Sequence, residues 1–178
     1  MNFISTPIAD LYIIEPKVWK DNRGYFYESF SGRAFAAAGI EADFVQDNQS
    51  ASVYGVIRGL HFQKGDSAQA KLVRVLEGAV FDVAVDIRPE SETYGQWVGY
   101  ELSAENNLQL YVPRGFAHGF SVITERAVFA YKCDNLYDKS AEGGIIYNDT
   151  TLNIDWKIET GKELISEKDE ILLPFEAL

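Results

Sequence analysis

The feature that most constrains the fold is a succession of short segments in which apolar residues alternate with polar or small ones. Residues 71–77 (KLVRVLE) and 80–87 (VFDVAVDI) begin this succession, and the sequence EGA turns the chain between them. Because a period of two places alternate side chains on one face of a β-strand, we interpret the two segments as a hairpin with one buried face. The pattern continues at short spacing in residues 96–103, 108–113, 120–123 and 127–133.

Many short strands separated by glycine or polar turns are typical of an antiparallel sandwich or jelly-roll barrel. One segment, residues 31–39 (SGRAFAAAG), has a helical pattern, with Ser31 as a candidate N-cap and Gly39 as a candidate stop. Residues 155–169 are ambiguous between a turn and a short helix. No repeat, low-complexity tract or linker divides the chain. We therefore predict an all-β protein with a few short helices, in which residues 1–178 form a single domain.

Composition and charge argue against several classes of protein. Apolar residues make up 47% of the chain, which is enough for a packed core, and the formal net charge of −11 disfavours nucleic-acid binding. A few arginines in one cleft can still bind a small anion. The single cysteine, Cys133, fits a reducing compartment and a buried position. With no leader and no apolar run of membrane-spanning length, we expect a cytoplasmic protein without a membrane partner.

The two histidines of the chain each follow an Arg-Gly pair, His61 in RGLHFQ and His118 in PRGFAHGF. A metal site in a barrel needs three or four ligands, and no His-x-His pair is present. A metal held by both histidines and a glutamate stays open as an alternative, as does a structural role for either histidine. Arg58 precedes His61 by three residues, so the two side chains would point to opposite sides of a strand unless Gly59 bends the chain.

Seven stretches of the chain, taken in order, resemble the dTDP-4-dehydrorhamnose 3,5-epimerase family of sugar-nucleotide enzymes. They are DNRGYFYESF (21–30), VQDNQSASVYGVIRGLHFQ (45–63), AKLVRVLEGAVFDVAVDIR (70–88), YGQWVG (94–99), LYVPRGFAHGF (110–120), YKCDNLY (131–137) and EGGIIYND (142–149). The resemblance extends to SEKD near the C-terminus, and GVIRGLHFQ and PRGFAHGF are its most specific motifs. It implies a cupin-like antiparallel jelly-roll barrel that works without a metal or other cofactor, usually as a homodimer.

The resemblance also implies the reaction. The substrate would be a dTDP-4-keto-6-deoxy sugar, dTDP-4-dehydro-6-deoxy-D-glucose, inverted at C3 and C5 to dTDP-4-dehydro-L-rhamnose for dTDP-L-rhamnose and cell-surface polysaccharide biosynthesis. Each inversion needs a base on one face of the sugar, a proton donor on the other, and positive charge at the ketone oxygen. By resemblance His61 is the base and Asp169 orients it. Tyr131 is the donor and Lys71 the partner of the oxyanion, although alone they would be interpreted as a core residue and a surface charge.

The nucleotide half of the substrate needs a local positive clamp in so acidic a protein. By resemblance Arg23 and Arg58 contact the phosphates. Because Arg23 lies near the N-terminus, in this family its segment can reach the neighbouring subunit's site. The other family positions that bind substrate are Phe26, Glu28, Gln46, Asn48, Tyr137 and His118, the last of which can bind ligand without moving protons.

One segment departs from the family pattern, and other functions stay open. Residues 62–70 read FQKGDSAQA, where many relatives have a proline-rich connection, so access to the pocket can differ although no catalytic group is lost. The alternatives are an enzyme that inverts only C3 or only C5, a metal-dependent cupin, and a sugar-binding module without catalysis.

Overall fold

The structure is a computed structural model that describes residues 1–41 and 43–178. Its strands are β1 (Asn2–Ser5), β2 (Tyr12–Glu15), β3 (Trp19–Asp21), β4 (Gly24–Phe26), β5 (Gln46–Val53), β6 (Ile57–Gln63), β7 (Lys71–Glu77), β8 (Ala79–Asp86), β9 (Trp97–Ser103), β10 (Gln109–Val112), β11 (Phe116–Val122), β12 (Arg126–Cys133) and β13 (Glu142–Gly144). Two short helices, α1 (Gly32–Ala37) and α2 (Glu167–Glu170), accompany them. Single 3₁₀ turns lie at Gly65–Ser67, Lys139–Ala141 and Phe175–Ala177.

Two antiparallel sheets face each other and form the predicted cupin-like jelly-roll barrel. One sheet has six strands in the order β1-β2-β10-β7-β12-β5, and the other has five in the order β13-β6-β11-β8-β9. Alternate residues of the facing strands meet in an apolar interior that includes Val73, Val80, Phe120 and Phe129. Burial of these side chains is the main driving force for closing one sheet over the other.

The predicted hairpin between residues 71–77 and 80–87 is wrong, although both segments are strands. β7 pairs with β10 and β12, whereas β8 pairs with β9 and β11 in the opposite sheet. Gly78, at φ +72°, lets the chain cross between the sheets, since a Cβ atom there would lie 2.0 Å from the carbonyl oxygen of Arg126. β8 is buried on both faces, so its alternation does not mark one solvent-exposed face.

The outer face of each sheet is covered by an irregular segment. The N-terminal region and α1 cover the six-stranded sheet, where Phe35 packs with Leu72 and Tyr111. The C-terminal segment covers the five-stranded sheet, where Leu152 and Trp156 join its apolar side chains.

The helix predicted over residues 31–39 is confirmed, with Ser31 at the N-cap and Gly39 at φ +79° just after the last turn. The Ser31 side chain makes no capping hydrogen bond. Residues 155–166 are mostly irregular, with one turn at residues 160–161, and α2 begins only at Glu167. Among residues 1–41 and 43–178, no helix is long and apolar enough to cross a membrane.

Two glycines allow β6 and β11 to approach each other closely. Gly59 has φ +129°, and a Cβ atom on it would lie 2.6 Å from Gly119 Cα. The pairing of the two strands shifts register beside this contact. As a result Arg58 and His61 face the same cleft, an arrangement that the sequence allowed only if Gly59 bends the chain.

Replacement of Gly119 by alanine tests this close approach. A Cβ atom at this position would lie 2.7 Å from the carbonyl oxygen of Arg58 and 3.1 Å from Gly59 Cα, both of which are backbone atoms. We expect Gly119→Ala to lower the free energy of unfolding by about 1–3 kcal/mol in urea titrations. Gly32→Ala is the matched control, because its nearest neighbour is 4.0 Å away. Equal stability of the two variants would contradict the proposed packing constraint.

Candidate active site

A cleft of about 610 Å³ opens between the two sheets where the apolar interior gives way to polar side chains. Along β12 the inward face passes from Phe129 to Tyr131, and β7 begins with Lys71 on its inward face. The five-stranded sheet and the C-terminal segment form the opposite wall. The polar residues of that wall are Arg58, His61, His118, Ser166, Lys168 and Asp169.

His61 and Asp169 form a hydrogen-bonded pair at this wall. The Nε2–H group of His61 donates to Asp169 Oδ1 over 2.7 Å, and the His61 side chain is about one-third exposed. The other carboxylate oxygen accepts the backbone N–H of Gly59 at 3.4 Å. With Nε2 occupied by Asp169, Nδ1 is the ring nitrogen of His61 that is left to exchange a proton with a ligand.

Asp169 is held ionised by its hydrogen bonds. Burial of its carboxyl group opposes ionisation, but hydrogen bonds from His61, Gly59 and Ser166 outweigh burial and keep its pKa below the usual value of 3.8. Ser166 is the N-cap of α2, and its Oγ accepts the backbone N–H of Asp169 at 3.2 Å. The short helix therefore sets the position of the carboxylate that orients His61.

Lys71 and Tyr131 reach the cleft from the six-stranded sheet and are open to it. Neither side chain has a hydrogen-bond partner among the described residues. No buried polar side-chain atom of residues 1–41 and 43–178 lacks a partner, so Lys71 Nζ and Tyr131 Oη must both be accessible from the cleft. The two groups are free to bind a ligand.

Burial changes the acidity of the groups on this sheet. It lowers the pKa of Lys71 and raises the pKa of Tyr131, because a less polar setting disfavours the charged form of each group. Burial also raises the pKa of the Cys133 thiol to about 11, so Cys133 is a neutral thiol at ordinary pH. Tyr131 is therefore protonated and suited to donate a proton.

His118 has a carboxylate partner that the sequence analysis missed. Asp82 is fully buried, and its two oxygens accept the Nε2–H group of His118 at 3.0 and 3.1 Å. His118 pairs with His61 across β6 and β11, so the two imidazoles lie beside each other on one wall. Asp82 lies in the VFDVAVDI segment, where it was interpreted only as part of a strand pattern.

A smaller cleft of about 270 Å³ adjoins the first and shares some of its lining residues. Gln46 and Asn48 line it from β5, and Gln46 Nε2 donates to Asn48 Oδ1 at 3.1 Å. The backbone N–H of Tyr137 donates to Gln46 Oε1 at 3.2 Å. Three of the predicted substrate-binding residues are thus brought together beside the cleft.

Glu142 and Lys168 are two more residues of the site that sequence reasoning missed. Tyr137 Oη donates to Glu142 Oε2 at 3.0 Å, and Lys168 Nζ donates to Glu142 Oε1. The bridge ties β13 to the segment that carries Asp169. Lys168 stands next to Asp169 in the quoted SEKD sequence, which was the available signal for it.

Arg58 lies at the cleft, whereas three other predicted residues do not. Arg58 Nε donates to Ser52 Oγ at 3.1 Å across the two sheets. The hairpin β3–β4 carries Arg23, whose side chain is 85% exposed and paired with Asp21, and Phe26, which is 69% exposed. Glu28 follows on an exposed stretch. Within this chain, Arg23, Phe26 and Glu28 do not line the cleft that holds His61.

The donor groups of the cleft do not form an evident metal site. Among residues 1–41 and 43–178, no three His, Cys, Asp or Glu side chains are grouped so that they could hold a metal ion. The two histidines instead each direct Nε2 to a carboxylate, His61 to Asp169 and His118 to Asp82. The arrangement can move protons and bind an anion.

Known proteins resemble the chain over nearly its whole length. A family model described as dTDP-4-dehydrorhamnose 3,5-epimerase matches residues 5–177. The dTDP-4-dehydrorhamnose 3,5-epimerase of Escherichia coli strain K12 is 52% identical over 179 residues, covering 100% of this chain and 96% of that protein. The crystal structure of the enzyme of that name from Elizabethkingia anophelis has a TM-score of 0.96 at 57% identity, covering 99% of this chain and 97% of the other.

A further similar structure contains a sugar nucleotide. It is dTDP-6-deoxy-D-glucose-3,5-epimerase from Legionella pneumophila in complex with dTDP-4-keto-L-rhamnose. Its TM-score is 0.95 at 49% identity, covering 99% of this chain and 94% of the other.

The lowered pKa of Asp169 predicts a specific dependence of stability on pH. A carboxylate whose folded-state pKa lies below its unfolded value of about 3.8 stabilises the fold above that pH, and the contribution is lost as the pH falls through the folded pKa. Asp169→Asn lacks this contribution. In urea titrations at a series of pH values, the advantage of the parent over Asp169→Asn should therefore shrink below about pH 4. An advantage that stayed constant to pH 3 would contradict the assignment.

Proposed function

The chain belongs to the dTDP-4-dehydrorhamnose 3,5-epimerase family, and we propose that its cleft uses His61 as the base and Tyr131 as the proton donor of the reaction. The enzyme is an isomerase that converts dTDP-4-dehydro-6-deoxy-D-glucose into dTDP-4-dehydro-L-rhamnose in dTDP-L-rhamnose synthesis. One observation carries the proposal for the residues. The His61–Asp169 pair lies on one wall of a cleft whose other wall presents Tyr131 and Lys71.

The substrate explains why two walls are needed. Protons on C3 and C5 flank the C4 ketone, so removal of either gives an enolate whose charge rests on the ketone oxygen. Inversion follows when the carbon receives a proton on the opposite face. A sugar held between two facing sheets has a different wall on each side, which supports a base and a donor in these positions.

His61 removes the proton in this mechanism. Its Nδ1 takes the proton from carbon, and Asp169, bonded to Nε2, stabilises the cationic ring that results. Asp169 is ionised because its pKa is lowered, so it can offset the new charge on His61. The same pair acts at C3 and at C5 in turn.

Tyr131 and Lys71 act from the opposite wall. The phenol of Tyr131 is protonated, since burial raises its pKa, and it gives its proton to the enolate carbon. The ammonium group of Lys71, which has no protein partner among the described residues, binds the ketone oxygen as negative charge develops there. The hydroxyl and ammonium groups both lie open to the cleft, as these roles require.

The nucleotide half extends along the cleft from the sugar. Arg58 lies at the rim and offers a guanidinium fork to the pyrophosphate. His118 lies nearer to His61, where its free Nδ1 can bind the substrate. Gln46, Asn48 and Tyr137 line the adjoining smaller cleft and contact the nucleoside or sugar.

Arg23, Phe26 and Glu28 act in the site of a second subunit. They lie on or just after an exposed hairpin whose aromatic side chains, Trp19, Tyr25 and Phe26, are at least half exposed. Such a hairpin is suited to pack against another copy of the chain. We therefore propose a homodimer in which each hairpin completes the partner's cleft. We also propose a cytoplasmic location, with which the free, buried thiol of Cys133 is compatible.

Deuterium exchange tests the roles of the two walls. The parent enzyme, incubated with dTDP-4-dehydro-6-deoxy-D-glucose in D₂O, should give a product with deuterium at both C3 and C5 by NMR. Exchange at one carbon would identify an enzyme that inverts only that centre. His61→Ala should lose exchange and product together, because no enolate forms without the base.

Tyr131→Phe should separate exchange from inversion. The base and Lys71 remain, so an enolate still forms and His61 returns a proton to the original face after its own proton has exchanged with solvent. Deuterium should therefore enter the recovered substrate, while inverted product falls by about 10²–10⁴-fold. Tyr111→Phe, a buried tyrosine outside the cleft, is the matched control. A Tyr131→Phe enzyme as fast as the parent would rule out the donor role.

Subunit mixing tests the shared site. If Arg23 serves the partner's cleft, His61→Ala and Arg23→Ala homodimers should each have low activity, and mixed dimers should contain one intact site. With random pairing after unfolding and refolding together, about a quarter of the parental activity should return. No recovery, in a mixture shown by size measurement to be dimeric, would contradict the proposed exchange of hairpins.

A further inference from the structure

Two phenylalanines lie directly beneath the polar groups of the cleft. Phe120 comes two residues after His118 in β11, and Phe129 comes two residues before Tyr131 in β12. Because alternate residues of a strand share a face, each phenylalanine follows its polar neighbour toward the barrel interior. Both line the cleft and belong to the buried core. The proposed reaction assigns no task to either of them.

The two rings form a packed surface at the inner end of the cleft. They stack with centroids 4.1 Å apart and an angle of 22° between their planes. Phe120 is 5% exposed and Phe129 is 1% exposed, so Phe120 presents the surface and Phe129 supports it from behind. Val56 packs against the same core and also lines the cleft. We call Val56, Phe120 and Phe129 the apolar floor.

The backbone of the apolar floor is already engaged in hydrogen bonds. The N–H group of Val56 donates to the carbonyl oxygen of Val53 at 3.3 Å, and its own carbonyl accepts the N–H of Val122 at 2.9 Å. β11 and β12 each pair with a strand on both sides. A ligand hydroxyl group placed on the floor would therefore lose its hydrogen bonds to water with little replacement, which is costly.

The polar side chains that line the cleft at the level of the floor stand at its open side. Ser50 pairs with Phe129 and lies on β5, the last strand of its sheet. Arg58 pairs with Phe120 and lies outside the part of β6 that is covered by β13. The cleft therefore runs from a polar, open side to an apolar, inner end.

This polarity sets the direction of the sugar in the proposed function. The pyrophosphate on C1 binds Arg58 at the open side, so the opposite end of the ring, with C3, C4 and C5, points inward. The ketone on C4 meets Lys71. The methyl group on C5 is the one apolar substituent of the sugar, and the apolar floor is the surface that suits it.

We propose that the apolar floor binds the C6 methyl group of the substrate and selects 6-deoxy sugars. The inference deepens the proposed function and rests on it, because that function places the sugar in this cleft. Apolar contact has no preferred direction. The methyl group can therefore stay on the floor while inversion at C5 moves it from one face of the ring to the other. A hydrogen-bonded hydroxymethyl group would have to exchange partners at that step.

Three sugar nucleotides that lack the C4 ketone, and so cannot react, isolate the contribution of the methyl group. On C5, dTDP-6-deoxy-D-glucose has a methyl group, dTDP-D-glucose a hydroxymethyl group and dTDP-D-xylose only hydrogen. In titration calorimetry the parent should bind the first about tenfold more tightly than either of the others. Equal affinities for the three ligands overturn the inference.

Substitution of the floor should weaken this preference. In Phe120→Leu it should fall to about threefold or less, because a smaller side chain of different shape leaves the methyl group poorly packed. Phe129→Leu, which removes the supporting ring, should act in the same way and is the second variant. Phe35→Leu is the matched control, because Phe35 is buried on the outer side of the six-stranded sheet. A preference that is unchanged in both floor variants, or lost also in Phe35→Leu, overturns the inference.

A measurement on the parent alone covers the case in which neither floor variant folds. The enzyme is prepared with every aromatic residue except phenylalanine deuterated, and its ring protons are irradiated in saturation-transfer NMR with dTDP-6-deoxy-D-glucose. The C6 methyl protons should receive more saturation than the proton on C2, and the reverse order overturns the inference. Failure of the proposed function looks different, since the parent then gives no epimerised product from the 4-keto substrate. The affinities for the three ligands still decide whether the floor selects the methyl group.

Discussion

The hydrogen bond between each histidine and a carboxylate is the interaction on which the cleft depends, because an isolated charge in a barrel lined mainly by apolar side chains is costly. Asp169 and Asp82 each accept the Nε2–H group of an imidazole, at 2.7 and 3.0 Å. Both His61 and His118 are thereby fixed with Nδ1 available to a ligand. The two pairs differ in exposure, since His61 is about one-third exposed and His118 is buried. That difference supports proton transfer by His61 and ligand binding by His118.

The sandwich architecture turns these local pairs into a site with two unlike sides. Both histidines belong to the five-stranded sheet, whereas Lys71 and Tyr131 belong to the six-stranded sheet. A planar enolate between the sheets would meet an imidazole on one face and a phenol on the other. The ammonium group of Lys71 and the hydroxyl group of Tyr131 have no hydrogen-bond partners among the described residues. Binding of a substrate to these two groups therefore breaks no existing hydrogen bond. The apolar interior beneath keeps these groups in a less polar setting, which strengthens each charge interaction.

The strands were predictable because a half-buried or fully buried strand imposes a period of two on its residues. Residues 71–77 form β7 as predicted, and residues 127–133 form nearly all of β12. The pairing of strands was not predictable in the same way. Residues 71–77 and 80–87 are adjacent in sequence and look like a hairpin, yet Gly78 sends them to different sheets. Alternation fixes the faces of a strand and carries no information about which neighbour it will pair with.

The candidate site was likewise only partly predictable from the sequence. The sequence by itself determined the strands, the cupin-like class and, through family motifs, the identity of His61, Tyr131, Lys71 and Asp169 as candidates. Only the tertiary structure decided that His61 and Asp169, 108 residues apart, share a hydrogen bond. It alone revealed Asp82 as the partner of His118, because a carboxylate inside an alternating strand has the same pattern whether it faces water or the core. The reason is physical: periodicity records which face a residue occupies, whereas charge pairing depends on distances between strands that only the folded chain sets.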